Sequence, residues 1–407
     1  MVKIVQNKNR CEAVDTSAYS FAATEPIRKF HSSLKVYNET PLIELKNFKG
    51  VKIFIKDESK RFGLKAFKGL GGVWAIYKVI SDELGLNNPT LEEIFQYRDE
   101  LSEMTFITTT DGNHGKGVSW AAGLFGCKSF VFMPCGTVEV RAQAIRDAGS
   151  AQVQITDMNY DDCVKYTARL AEKNHWHLIQ DTSWTGYEDI PAQIMLGYST
   201  LAYEALRQMN YQRPTHIFLQ AGVGSMAGAI AAVFAEVFGH STETQTQERG
   251  NNTRLSQNSI ANAGSSVTLA PRITIVEPTE VACFYETMRI GDGKIHSATG
   301  NGQTMMAGLN CATPCELAWK ILRRYAADTA IISDDLAAEA MRALAEHKII
   351  SGESGCAGFA LANAALNSDE LRRALEINDD SIIFVINTEG DTAPMNYKKI
   401  LQKEALP

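Results

Sequence analysis

Two glycine-rich turns constrain this chain most: Thr110-Asp111-Gly112-Asn113-His114-Gly115 and Ala221-Gly222-Val223-Gly224-Ser225-Met226. Each stands where a short β-branched run hands over to a stretch of helical period. The runs of this kind are Val51–Ile55, Phe106–Thr109, Phe130–Met133, Val153–Ile155, His216–Leu219, Ile273–Val276 and Ile382–Ile386, which read as buried parallel strands. Gly115–Gly126, Val138–Gly149, Tyr160–Asn174 and Ser225–Phe238 have the period and length of helices. Alternation of the two predicts an α/β architecture of twisted, mostly parallel sheets flanked by helices. In such sheets ligands bind beyond the carboxyl ends of the strands, where both turns fall.

The chain has 407 residues, 45% of them apolar and 21% charged, enough for two domains around a large core. A net charge of −7 and the lack of clustered Lys and Arg interleaved with aromatics argue against nucleic acid as a partner. No apolar run of signal-peptide or membrane-spanning kind is visible, so the expectation is a cytoplasmic protein with no membrane partner. The eight cysteines show no repeated pair spacing and read as reduced thiols. Cys311 and Cys315 have no second Cys or His pair nearby in sequence, so no metal site is expected. Between His240 and Ala270 the chain is rich in Ser, Thr, Asn and Gln, which reads as a mobile surface insertion.

The second turn follows a strand and opens a helix, and glycines there let backbone N–H groups converge at the positive helix end, a geometry suited to a phosphate. Gly222, Gly224 and Gly228 loosely match a dinucleotide fingerprint, but that fingerprint belongs at the first strand of its unit with an acidic residue about 20 positions on. Glu236 comes too early for it. In the first turn Asn113 reads either as a helix N-cap or as a ligand-binding amide, and His114 as a packed or solvated first-turn residue. A lysine near glycines, as in Ala66-Phe67-Lys68-Gly69-Leu70-Gly71-Gly72, means little alone. Ahead of these two turns, it points to a pyridoxal phosphate site.

The order of the three segments resembles the fold-type II family of pyridoxal phosphate enzymes. The likeness runs from about residue 30 to residue 400, and it includes Thr156–Asp162, Gln180-Asp181-Thr182, Ile350–Gly355 and Val385–Thr392. It is nearest to the branch acting on 2,3-diaminopropionate. The resemblance implies that Lys68 is the Schiff-base lysine, that Asn113 contacts the cofactor's phenolic oxygen, and that Gly222, Val223, Gly224, Ser225 and Met226 hold its phosphate. It places a neutral partner of the pyridine nitrogen at Asn387 or Thr388 and brings Asp181 to the substrate. A neutral partner leaves a weaker electron sink than a carboxylate, suited to elimination. The implied domains are a large cofactor-binding one, residues 1–87 and 205–407, and a smaller inserted α/β one, residues 88–204. A homodimer is implied as well. Cys135 stands where a lysine is common, and the 240–270 segment is longer than usual.

Relatives acting on serine or threonine carry small hydroxyl residues before the Gly-Asn pair, whereas this chain has Asp111. A buried carboxylate wants a cation, and the β-ammonium of 2,3-diaminopropionate supplies one. Protonation also lets that nitrogen leave as ammonia. Alternatively, Asp111 caps the helix that starts at Asn113. The expected activity is elimination of ammonia from a small amino-acid substrate, giving pyruvate and two ammonia. Lys68 is the base for the L-isomer and Asp111 the candidate for the D-isomer. Competing readings are a serine or threonine dehydratase, a silent ligand-binding homologue and, more distantly, a nicotinamide dehydrogenase.

Overall fold

The computed structural model describes residues 2–404 except 9, 11, 12, 150 and 240–269, so most of the polar 240–270 segment and Cys11 lie outside the described residues. Eleven strands are described: β1 (Lys3–Gln6), β2 (Leu42–Phe48), β3 (Val51–Asp57), β4 (Thr105–Thr109), β5 (Lys128–Met133), β6 (Gln152–Ile155), β7 (His177–Leu178), β8 (His216–Gln220), β9 (Arg272–Pro278), β10 (Ala326–Ile332) and β11 (Ile382–Asn387). They form a seven-stranded sheet ordered β1-β10-β9-β8-β11-β3-β2 and a four-stranded sheet ordered β6-β5-β4-β7.

All seven runs read as strands are strands, and every pairing among them is parallel. Helices flank both sheets, as the alternating pattern predicts. Antiparallel pairing is confined to the edges, β1 on β10 and β2 on β3. The β2–β3 hairpin turns at Lys49 and Gly50, with φ of 52° and 91°, the double left-handed conformation that matches strand twist. β10 escaped the sequence reading because Ala326-Ala327-Asp328 has neither the apolar run nor the alternation of a strand. Its Asp328 is buried against Arg272 of β9 at 2.8 Å, so only tertiary pairing makes that carboxylate tolerable.

The helix Gly69–Glu83 is buried on almost all sides from Gly69 to Tyr77, with Leu70, Val73, Ile76 and Ile80 fully enclosed, each contributing about 1.5 to 3 kcal/mol through burial. It packs on helix Asn113–Phe125 through two glycines. A Cβ on Gly72 would come within 3.3 Å of the Gly117 carbonyl carbon. This close approach brings the start of one helix, at Lys68, beside the start of the other, at Asn113. Three strands of the two sheets, β4, β8 and β11, send their carboxyl ends into the same region, the general position of ligands in such folds. Among the described residues no helix is long and apolar enough to cross a membrane.

Candidate active site

One cavity is lined by Phe67, Lys68, Thr109 to His114, Tyr160, Asp181, Gln220 to Met226, Ala307 to Leu309, Cys311, Ser354, Thr388 and Glu389. Of the predicted site residues, Lys68, Asp111, Asn113, Asp181, the whole Gly222–Met226 turn and Thr388 meet there. Asn387 does not. Its side chain is buried on the strand, where Nδ2 donates to Asp57 Oδ1 at 2.8 Å and to Ile350 O at 2.9 Å. Cys135 is exposed and lies off the cavity wall, whereas Cys311 is part of it.

The chain approaches Lys68 through left-handed backbone at Phe62, Gly63 and Lys65, and it is then clamped to the exit of β11. Phe67 N–H donates to Thr388 O at 3.1 Å, and Gly390 N–H donates to Lys65 O at 2.9 Å. The lysine and Thr388 are thereby fixed relative to each other. Thr388 Oγ1 accepts from Gln220 Nε2 at 3.2 Å, which leaves its own proton for an acceptor in the cavity. The two hydrogens of Gln220 Nε2 are shared with Gly355 O and Ile386 O, each at 2.9 Å, while its Oε1 is buried with no partner among the described residues.

Lys68 Nζ donates to Asp181 Oδ2 as a partly buried ion pair. Burial alone would lower the amine's pKa, but the Asp181 charge outweighs it and raises it above the ordinary lysine value. Burial would raise Asp181, yet Lys68 holds it down at about 2. His114 Nε2 faces Ile179 O at 2.7 Å and its Nδ1 lies 3.8 Å from Asp181. Burial lowers the imidazole's pKa, so the ring is neutral and this approach is no ion pair.

The helix Asn113–Phe125 settles the capping question left open by the sequence. Thr110 Oγ1 accepts the N–H of Gly112 at 2.9 Å and of Gly115 at 3.0 Å. Asp111 makes no hydrogen bond or ion pair among the described residues, so it is not the cap. Burial raises its pKa to about 7, against the pull of Arg141 and with the help of Asp181. Asn113 Nδ2 donates to Glu389 Oε2.

The Gly222–Met226 turn opens the helix Ser225–Phe238 with no side-chain cap. Gly224 has φ of 91° and packs against Phe284, so a Cβ there has no room and the wrong backbone. Ser225 Oγ donates to Asp181 O at 2.6 Å, tying this turn to the acidic wall. An uncapped helix N-terminus built on glycine, a lysine, a neutral hydroxyl and an amide around one cavity fit a phosphorylated aldehyde cofactor. Sequence reasoning missed Tyr160, Gln220, Cys311, Ser354 and Glu389 as cavity residues. Gln220 and Glu389 had a usable signal, each being the polar neighbour of an assigned motif.

Residues 34–389 match the family described as pyridoxal-phosphate dependent enzyme. The chain belongs to that family, with the fold-type II architecture and pyridoxal phosphate as its cofactor. It is 39% identical over 398 residues to a diaminopropionate ammonia-lyase of Salmonella typhimurium, covering 91% of this chain and 90% of that one. To the diaminopropionate ammonia-lyase of Escherichia coli it is 39% identical over 399 residues, covering 94% and 92%. The crystal structure of the Escherichia coli enzyme with an aminoacrylate-PLP azomethine reaction intermediate superposes with a TM-score of 0.83 at 37% identity, covering 99% of this chain and 97% of that one. Tomato threonine deaminase shares the fold, with a TM-score of 0.71 at 17% identity over 99% and 97% of the two chains.

Proposed function

We propose that this enzyme eliminates ammonia from 2,3-diaminopropionate, accepts both the D- and L-isomers, and yields pyruvate and two ammonia. The observation that carries the reading is the pair of cavity carboxylates, Asp181 paired with Lys68 and Asp111 with no hydrogen bond or ion pair among the described residues, only the electrostatic pull of Arg141. The β-ammonium of a 2,3-diamino acid is a cation that such an acidic wall attracts. The 39% identity to diaminopropionate ammonia-lyases supports the same substrate.

Bound pyridoxal phosphate supplies an electron sink for the carbanion at the substrate's Cα. Lys68 would hold it covalently, Gly222 to Met226 its phosphate, Asn113 its phenolic oxygen, and the Thr388 hydroxyl its ring nitrogen. Asp181 attracts the substrate's β-ammonium, and a charge-assisted hydrogen bond of that kind is worth about 1.5 to 3 kcal/mol. A cation arriving at Asp181 also competes with Lys68 for the carboxylate. It thereby weakens the interaction that holds the Lys68 proton and frees the amine to take the L-isomer's Cα proton. A carboxylate beside the β-nitrogen keeps it protonated, so it departs as neutral ammonia. The D-isomer presents its Cα proton on the opposite face and needs a second base, which we assign to Asp111, carried by the exit of β4. The eliminated 2-aminoacrylate takes up water to give pyruvate and the second ammonia.

The reading includes a cytoplasmic homodimer. The seven described cysteines, all free thiols, support a reducing compartment, and light scattering of the purified protein tests the dimer. The activity is tested by pyruvate release from the holoenzyme with D- and L-2,3-diaminopropionate, L-serine and L-threonine side by side. Release from both diamino acids in preference to the hydroxy acids is expected. Release from the hydroxy acids alone would make the enzyme a dehydratase.

A further inference from the structure

We infer that Glu389 is a positioning residue that orients the Asn113 amide toward the cofactor's ring oxygen. The inference rests on the proposed role of Asn113 and adds the residue that makes that role possible.

Glu389 is 5% exposed and lines the cavity at the exit of β11. Its two carboxylate oxygens gather two segments distant in sequence and a neighbour in its own turn. Oε1 accepts from Ser354 N–H at 3.0 Å, and Oε2 accepts from Asn113 Nδ2 and from Thr392 Oγ1, the latter at 3.3 Å. Its backbone is bridged to Ala66, two residues before Lys68. The Asn113 loop comes from the four-stranded sheet, while Glu389, Ser354 and Lys68 come from chain segments around the seven-stranded sheet. Asn113 and Glu389 therefore make a direct side-chain link between the two sheets at the cavity.

An asparagine amide presents a donor at one end and an acceptor at the other, and a half-turn exchanges them. A carboxylate accepts and does not donate, so Glu389 admits only the amide nitrogen. That nitrogen carries a second hydrogen, which remains for another acceptor in the cavity. A phenolic oxygen of the cofactor is such an acceptor, and with the amide reversed it would meet an oxygen instead. Thr110 Oγ1 accepts the Gly115 N–H in the first turn of the helix that Asn113 begins, so the Asn113 amide is spared that task.

The test uses the holoenzymes of Glu389→Ala, Glu389→Asp and Asn113→Ala, with circular dichroism to show that each is folded. The readouts are the visible absorption band of the bound cofactor, its pH titration, and the cofactor's dissociation constant. Loss of one hydrogen bond is expected to weaken cofactor binding roughly 3- to 10-fold and to displace the band in Asn113→Ala. Glu389→Ala should reproduce that displacement. Glu389→Asp should too, because it keeps the charge but withdraws the carboxylate by one methylene. The double variant Asn113→Ala/Glu389→Ala should differ no further from either single one. An unchanged band in both Glu389 variants, with Asn113→Ala displaced, overturns the positioning role and leaves the Asn113 assignment standing. An unchanged band in Asn113→Ala overturns both.

Discussion

Lys68 and Asp181 form a partly buried ion pair in which each partner holds the other's proton state, the amine raised and the carboxylate pushed down to about 2. Asp181→Asn keeps the shape and removes the charge. Lys68 then loses the interaction that raises its pKa, and the substrate loses a carboxylate for its β-ammonium. The expected result is an increase in KM for 2,3-diaminopropionate of roughly 10- to 100-fold, the worth of a charged hydrogen bond. Steady-state kinetics of the variant check this, and an unchanged KM would remove Asp181 from substrate binding.

Gly224 stands at φ of 91° with Phe284 packed where a side chain would go. Gly224→Ala must either shift the turn or push the phenyl ring away, and both spoil the convergence of N–H groups at the helix start. The variant is expected to remain folded and to bind pyridoxal phosphate at least about 10-fold more weakly, a loss comparable to one or two hydrogen bonds to an anion. Fluorescence titration of the apoprotein with the cofactor measures it.

The seven parallel strands and their four helices were legible because burial on both faces leaves a continuous apolar run and because the turns between them need glycine. What stayed hidden depends on contacts between distant residues. β10 carries the buried Asp328, whose partner Arg272 lies on β9, 56 residues earlier in the chain. The sequence left Asp111 between cap and cavity residue, and in the fold it is the neighbouring Thr110 hydroxyl, not Asp111, that accepts the N–H of Gly112 and of Gly115. Glu389 lies 276 residues from Asn113, and no spacing rule connects them. The choice between Asn387 and Thr388 was likewise invisible, since strand alternation alone puts one on the Asp57 side and the other at the cavity.

Away from the cavity, Lys56, Glu58, Arg61 and Glu204 form a buried charge network with Thr40. Arg61 bonds Glu58 at 2.8 Å and Glu204 at 2.7 Å, and Lys56 bonds Glu204 at 2.7 Å. It anchors the turn that leads from β3 to Lys68. Glu204→Gln leaves two buried cations short of a charge and is expected to destabilise the fold by about 3 to 5 kcal/mol. Burial would raise the Glu204 carboxyl, but Arg61 and then Lys56 hold it at about 2. Its stabilising contribution is therefore present above the ordinary glutamate pKa and is lost as pH falls toward 2. Urea unfolding of both proteins at pH 7 and pH 4 measures the difference, which should shrink at the lower pH.

Asp111 offers the sharpest test of the two-base proposal, because its pKa of about 7 falls inside the working range of an enzyme. Burial is the main cause of that rise, Arg141 opposes it, and Asp181 adds to it. A general base must be unprotonated, so turnover of the D-isomer should rise with pH through a midpoint near 7 and then level off. The L-isomer, whose proton goes to Lys68, should show no such limb from Asp111. Asp111→Asn cannot accept the proton and is expected to lower D-isomer turnover by about 10² to 10⁴, with a much smaller effect on the L-isomer. Profiles of kcat against pH for both isomers, in the parent enzyme and the variant, separate the possibilities. Equal losses for the two isomers would instead make Asp111 a recognition residue for the β-ammonium common to both.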